Sequence, residues 1–137
     1  ESKNVELDYS NLVTQDTMII ADPEQMKRVI NNIISNSVKY MDKPKGKIDI
    51  RLLDEVDSVR IEIEDNGKGI AAKDLPLIFE RFYRTDASRN SSQGGSGIGL
   101  SIVKKIIEDH GGYIWATSKE GEGTCMHFVI RKYQGHE

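Results

Sequence analysis

Asn32 and Asn36 stand four residues apart, with Lys39 and Tyr40 just beyond, in a stretch whose apolar residues recur at helical spacing. At about 100° per residue, with Asn32 at 0°, Asn36 falls at about 40°, Lys39 at about −20° and Tyr40 near 80°. Met26, Ile30, Ile33, Ile34 and Met41 span about 100° to 200° on the same wheel. Two amides and an ammonium therefore share a face turned away from the core, with an aromatic ring at its edge. On most helices such a face is simply solvated. Asparagine, however, is a poor interior helix former because its side chain competes for nearby backbone groups, and two of them on a solvent face gain nothing. A carboxamide oxygen is a hard neutral ligand for Mg²⁺, an ion that takes few protein groups and fills its shell with phosphate and water. Lys39 would neutralise phosphate oxygens.

Most of the 12 glycines are clustered. Asp65-Asn66-Gly67-Lys68-Gly69 follows a strand pattern. It is good turn chemistry, but a second glycine two residues on suggests a close backbone approach to something bound. It lacks the spaced oxygen ligands and terminal glutamate of a calcium loop. Gly94-Gly95-Ser96-Gly97-Ile98-Gly99-Leu100 runs directly into a helix, where free N–H groups and the helix dipole favour an anion. The spacing is neither G-x-G-x-x-G after a strand nor G-x-x-x-x-G-K-[ST], which excludes a dinucleotide fold and a P-loop. Gly121-Glu122-Gly123-Thr124, taken alone, reads as a hairpin turn. The amide stripe, the turn after a strand and the glycine-rich loop together point to a nucleotide more than any one of them does.

These residues need elements to hold them. Residues 5–9 and 18–20 are β-like. Asp22 can cap a helix, Pro23 fits its first position and Gln25 stands where a capping box needs it. Lys43-Pro44-Lys45-Gly46 ends that helix. Ile48, Ile50 and Leu52 alternate with polar residues, as do Val59, Ile61 and Ile63, which predicts a hairpin. A short helical piece is expected over 75–79, and residues 85–97 read as a polar, mobile loop. A second long helix spans 100–109, closed by Gly111 and Gly112. Strands over 113–117 and 124–131, joined by a turn at 119–123, complete the pattern. The sum is a two-layer α/β sandwich, a sheet with helices on one face.

Composition sets the outer bounds. The 137 residues are the size of one domain, with 37% hydrophobic and 30% charged residues and a net charge of −3. No basic excess draws nucleic acid. The single Cys125 excludes a disulfide framework and a multi-cysteine zinc site. No apolar run approaches the ~18 residues of a membrane span.

In order and spacing these stretches resemble the ATP-binding catalytic domain of bacterial sensor histidine kinases, in the GHKL superfamily. The asparagine box covers residues 28–40, from Arg28 through Asn32, Asn36 and Lys39 to Tyr40. The first glycine box is Asp65-Asn66-Gly67-Lys68-Gly69-Ile70, and the phenylalanine box is Ile78-Phe79-Glu80-Arg81-Phe82-Tyr83-Arg84. The second glycine box is Gly95-Ser96-Gly97-Ile98-Gly99-Leu100, and Gly121-x-Gly123-Thr124 stands where the family has its third. The resemblance covers nearly the whole chain and implies one domain over residues 1–137, a mixed β-sheet with helices on one face (the Bergerat fold) and an ATP lid over residues 85–97.

It also implies roles. Asn36 looks like the Mg²⁺ ligand, with Asn32 beside the phosphates, Lys39 on phosphate and Tyr40 and Tyr83 lining the nucleotide. Asp65 looks like the adenine reader, accepting from the exocyclic amine where guanine presents an oxygen. Gly67 and Gly69 let the backbone pass close to the base, Ile70, Ile78 and Leu100 supply apolar walls, and Gly95, Gly97, Gly99 and Thr124 belong to the same site. Arg84 resembles the arginine that approaches the γ-phosphate, where a guanidinium stabilises charge in phosphoryl transfer; Arg89 reads as solvated. Ser37 in place of a small alanine, and Met126 in place of an aromatic, are departures that core positions tolerate.

Family members that hydrolyse ATP or phosphorylate serine typically carry a glutamate four residues before the magnesium asparagine. This chain has Asn32 there, and an amide cannot take a proton in that role. A neutral imidazole nitrogen is already a nucleophile near neutral pH. The resemblance therefore implies phosphoryl transfer from Mg-ATP to a histidine, for onward transfer to a response regulator. The alternative is a free-standing serine kinase of the anti-sigma type. Neither His110, His127 nor His136 begins an H-[ED]-x-x-x-P-type box: His110 sits where a cation suits a helix dipole, His127 reads as structural and His136 lies in the tail. The acceptor histidine is expected on a separate dimerisation domain of a longer protein. The parent is expected to be membrane-anchored with this domain in the cytoplasm, monomeric in isolation and without direct contact to the membrane.

Overall fold

The computed structural model describes residues 5–13, 18–80 and 99–133. Alternating apolar residues pair across one sheet. Its strands are β1 (Val5–Asn11), β2 (Gly46–Asp54), β3 (Ser58–Asp65), β4 (Tyr113–Lys119) and β5 (Gly123–Arg131), in the order β1-β2-β3-β5-β4. β1 runs parallel to β2 and the remaining pairs are antiparallel, so the sheet is mixed and both expected hairpins form. The register sets Ile50 opposite Ile63, Leu52 opposite Ile61, and Phe128 opposite both Ile61 and Ile114. One face thereby becomes a continuous apolar surface. α1 (Pro23–Lys39) and α2 (Gly99–Asp109) cover it: Val29 and Ile33, with Val103, Ile106 and Ile107, join Ile48, Ile63, Phe128 and Ile130 in one core. This is the two-layer sandwich that the pattern predicts.

Several details differ from the sequence reading. The fully buried stripe of α1 is Val29, Ile33 and Ser37, while Met26, Ile30 and Ile34 are only partly buried. The reason is that α2 packs on the flank of α1, so the helix turns that flank inward as well. The asparagine face is consequently half-buried at the helix–helix seam, with Asn32 and Asn36 both partly covered. Residues 18–20 make a single bridge, Ile19 to Lys132, in place of a strand. The piece expected over 75–79 is one 3-10 turn, Leu75–Leu77; Pro76 within it has no N–H to continue a ladder.

The N-terminus of α1 is capped as expected on one side only. Asp22 Oδ1 accepts from the N–H groups of Glu24 (2.9 Å) and Gln25 (3.4 Å). The reciprocal bond of a capping box is not made, because the Asp22 N–H donates instead to His110 Nε2 at 3.1 Å. Nδ1 of His110 lies 2.8 Å from the Ile106 carbonyl. His110 thus ties the start of α1 to the last turn of α2.

Candidate functional site

Three segments converge at one end of the layer between sheet and helices: the C-terminus of α1, the turn after β3 and the β4–β5 turn. They meet backbone on backbone. Lys68 N donates to the Tyr40 carbonyl at 3.3 Å and Gly121 N donates to the Lys68 carbonyl at 2.7 Å. A Cβ on Gly69, whose φ is 77°, would overlap the Lys119 carbonyl, and one on Gly123, with φ of 134°, would overlap the Asp65 carbonyl. Only glycine permits both the conformation and the approach at these two positions. The glycine pairs singled out in the sequence are thus spaced to let two turns interlock.

Asp65 ends β3 directly opposite Thr124 of β5. Its Oδ1 accepts from Gly67 N at 2.9 Å and from Thr124 N at 3.3 Å, so the carboxylate is held in one orientation by the turn that follows it and by the neighbouring strand. Thr124 is buried, and its hydroxyl lies 2.9 Å from Ser118 Oγ. Ser118 in turn donates to the Gly123 carbonyl at 2.9 Å and accepts from Ile70 N at 2.7 Å. Asn66 closes the other side: its side chain accepts from Lys47 N at 2.8 Å and donates to the Lys45 carbonyl at 3.1 Å.

Along α1, the Asn32 amide donates to the Gly99 carbonyl at 3.5 Å, which ties the asparagine stripe to the first residue of α2. Tyr40, the C-cap of α1, carries two ammonium groups by its ring, Lys39 Nζ at 5.7 Å and Lys68 Nζ at 5.5 Å from the centroid. These cations, the amides of α1 and the start of α2 give this end of the molecule a positive, donor-rich edge beside the Asp65 carboxylate. Ile70 and Leu100 are partly buried beside the core, and Ile78 is buried within it.

The structure therefore joins Tyr40, Asp65, Gly67, Gly69 and Thr124 through the interlocked turns, and Asn32 with Gly99 at the helix seam. Asn36 and Lys39 share the face that carries Asn32. Tyr83, Arg84, Gly95 and Gly97, with Arg89 and the lid over 85–97, lie outside the described residues. Ser118 and Asn66 were not singled out as site residues. A serine in a strand and an asparagine in a turn carry no signal of their own; only their position beside Gly69 and Gly67 could have found them.

The face of the sheet opposite the helices holds a different cluster. Arg51 Nε reaches Glu62 at 3.1 Å and its terminal nitrogen reaches Glu64 at 2.9 Å. His127 Nδ1 lies 3.1 Å from Glu62, and its ring stacks on Trp115 at 5.0 Å. Burial alone would lift the Glu62 carboxyl, but the hydrogen bond from Arg51 and the charges of His127 and Arg51 outweigh it and hold it below the usual carboxylate range. Burial, reinforced by Glu62 and Glu64, pushes the Cys125 thiol up to about 12. Glu62, Cys125 and His127 lie close enough together to suggest a metal centre. Arg51 already pairs with Glu62 and Glu64 there and reaches Cys125 Sγ at 3.9 Å, so the cluster is joined as an ion-pair network. His127 bridges Glu62 and Thr117 across this face.

Residues 21–134 match the model of one protein family, described as histidine kinase-, DNA gyrase B-, and HSP90-like ATPase. The chain is 40% identical over 123 residues to the sensor histidine kinase WalK of Bacillus subtilis, covering 88% of this chain and 20% of that protein. It is 40% identical over 110 residues to the sensor protein kinase WalK of Staphylococcus aureus, covering 80% of this chain and 26% of that one. It thus spans about a quarter or less of the curated relatives it matches. Among solved structures, the catalytic domain of histidine kinase ThkA superposes with a TM-score of 0.78 at 31% identity, over 93% of this chain and 79% of that one. The mycobacterial sensor histidine kinase MprB superposes with a TM-score of 0.77 at 29% identity, over 92% and 84%.

Proposed function

This chain belongs to the histidine kinase-, DNA gyrase B-, and HSP90-like ATPase family, and we propose that it binds Mg-ATP and passes the γ-phosphoryl group to a histidine on a partner domain. The observation that carries the reading is the Asp65 carboxylate, oriented through Oδ1 by two backbone N–H groups. Its second oxygen is then available to accept from the 6-amino group of adenine. Guanine presents a carbonyl there, and oxygen would face oxygen. Gly67 and Gly69, which let the turn close against the Tyr40 and Lys119 carbonyls, hold it in place for the base, and Tyr40 and Ile70 flank it. Thr124 and Leu100 belong to the same pocket.

At the phosphate end, Asn32, Lys39 and the start of α2 at Gly99 supply donors and positive charge, with Arg84, Gly95 and Gly97 assigned there by sequence. Asn36 offers a neutral oxygen on a half-buried face of α1 that carries Asn32 and Lys39 and no acidic residue of that helix. That donor set fits a magnesium ion that arrives with its phosphates, held by Asn36. When bound, magnesium would neutralise charge on the phosphate oxygens.

The acceptor is read from residue 32. An amide that donates to the Gly99 carbonyl cannot serve as a general base for water or a serine hydroxyl. A histidine nitrogen needs no such base. We assign the acceptor histidine to a dimerisation domain of the same kinase, with a response regulator downstream and the domain itself in the cytoplasm. No helix among the described residues is long and apolar enough to cross a membrane.

Calorimetry tests the binding step. The wild-type chain is expected to bind Mg-ATP, and Asn36→Ala to lose the part of the affinity that depends on magnesium. No binding by the wild type would overturn the reading.

A further inference from the structure

We propose that Lys43 is a positioning residue for the adenine end of the nucleotide site, an inference that rests on the ATP-binding function above. In the sequence it is only part of the segment that ends α1. In the structure its ammonium bridges the two interlocked turns. Nζ donates to the Gly67 carbonyl at 3.0 Å and to the Gly121 carbonyl at 2.9 Å, and pairs with Asp42 at 3.2 Å. An ammonium has three N–H groups, and three acceptors from three segments take them.

The bond to Gly67 falls on the peptide group that matters most. The peptide joining Gly67 to Lys68 is held from both sides, its N–H by the Tyr40 carbonyl and its carbonyl by Lys43. The preceding peptide presents the Gly67 N–H to Asp65 Oδ1. Lys43 thus fixes the turn that aims the adenine-reading carboxylate, and its second bond fastens that turn to Gly121, one residue from the Glu122-Gly123 step that leads to Thr124. The side chain is one-third exposed, so solvent weakens but does not cancel these charge-assisted bonds. A lysine spent on main-chain carbonyls has no N–H left for phosphate, which separates its role from that of Lys39.

The test compares Mg-ATP, Mg-ADP and Mg-GTP by calorimetry on the wild-type chain, Lys43→Met and Lys43→Arg. Lys43→Met is expected to weaken ATP and ADP alike by about tenfold, the loss of one or two net hydrogen bonds, and to narrow the preference over GTP. Lys43→Arg keeps a donor for both carbonyls and is expected to recover most of the affinity. Binding by Lys43→Met within about twofold of wild type for both adenine nucleotides would overturn the proposal. So would a loss that grows from ADP to ATP, because that marks a phosphate contact. If Lys43→Met does not fold, Lys43→Gln, which is too short to span both carbonyls, is read in the same way. Absence of ATP binding by the wild type would instead overturn the function on which this inference rests, so the two failures are distinguishable.

Discussion

Asp65 has two tasks, one structural and one proposed. Oδ1 anchors the glycine turn and β5, and the proposal gives the other oxygen to the adenine amine. Asp65→Asn separates them. The amide oxygen can keep the bonds from Gly67 and Thr124, while the amide nitrogen turns a donor toward the adenine amine. ATP affinity is expected to fall ~10- to 100-fold, since a buried donor facing a donor loses the bond and adds a desolvation cost. The melting temperature should stay within a few degrees of wild type. Calorimetry and a thermal melt on the same sample check both halves. The close backbone approach at Gly67 and Gly69 was legible in the sequence because glycine is rarely placed twice in three residues without a backbone reason, while the role of Asp65 came from the family resemblance. Lys43 and Ser118 were not, because their roles arise only when the turns of residues 65–70 and 119–124 meet in space. A lysine after a helix and a serine in a strand look the same whether or not that meeting occurs.

At the scale of elements, α1 is the part that must not move, because it carries Asn32, Asn36, Lys39 and Tyr40. Its N-terminus is held by the Asp22 cap and by the bond from Asp22 N–H to His110. Asp22→Ala keeps the second and removes the first. It is expected to cost about 1 kcal/mol, a melting point lower by about 3 °C. The sheet face opposite the helices is held differently. The Glu62 carboxyl is depressed below its ordinary 4.5 in the folded chain, so its contribution is present above that pH and is lost as the pH falls through the folded value. Glu62→Gln should therefore lower the melting temperature near neutral pH, by an amount that shrinks on acidification below about 4.5. An equal gap at both ends of the pH range would contradict this. The strands and helices were legible from period and caps. The tilt of α1 was not, since apolar spacing on one helix does not say that a second helix will bury its flank.

As a whole molecule, the chain combines a layer of strands that fixes Asp65 and Thr124 with a layer of helices that fixes the asparagines, and the nucleotide reading needs both at one edge. Fold and family agree with the sequence motifs, and the relatives matched are several times longer than this chain. Most of the phenylalanine box (78–84) and of the second glycine box (95–100) lies outside the described residues. The central claim is that the site loads a phosphoryl group destined for a histidine elsewhere. It is tested by incubating this chain and labelled Mg-ATP with the histidine-bearing dimerisation domain supplied in trans. The account predicts acid-labile, base-stable label on that histidine, abolished by its replacement and by Asn36→Ala. Label on serine, or brisk release of inorganic phosphate with none on histidine, would contradict it.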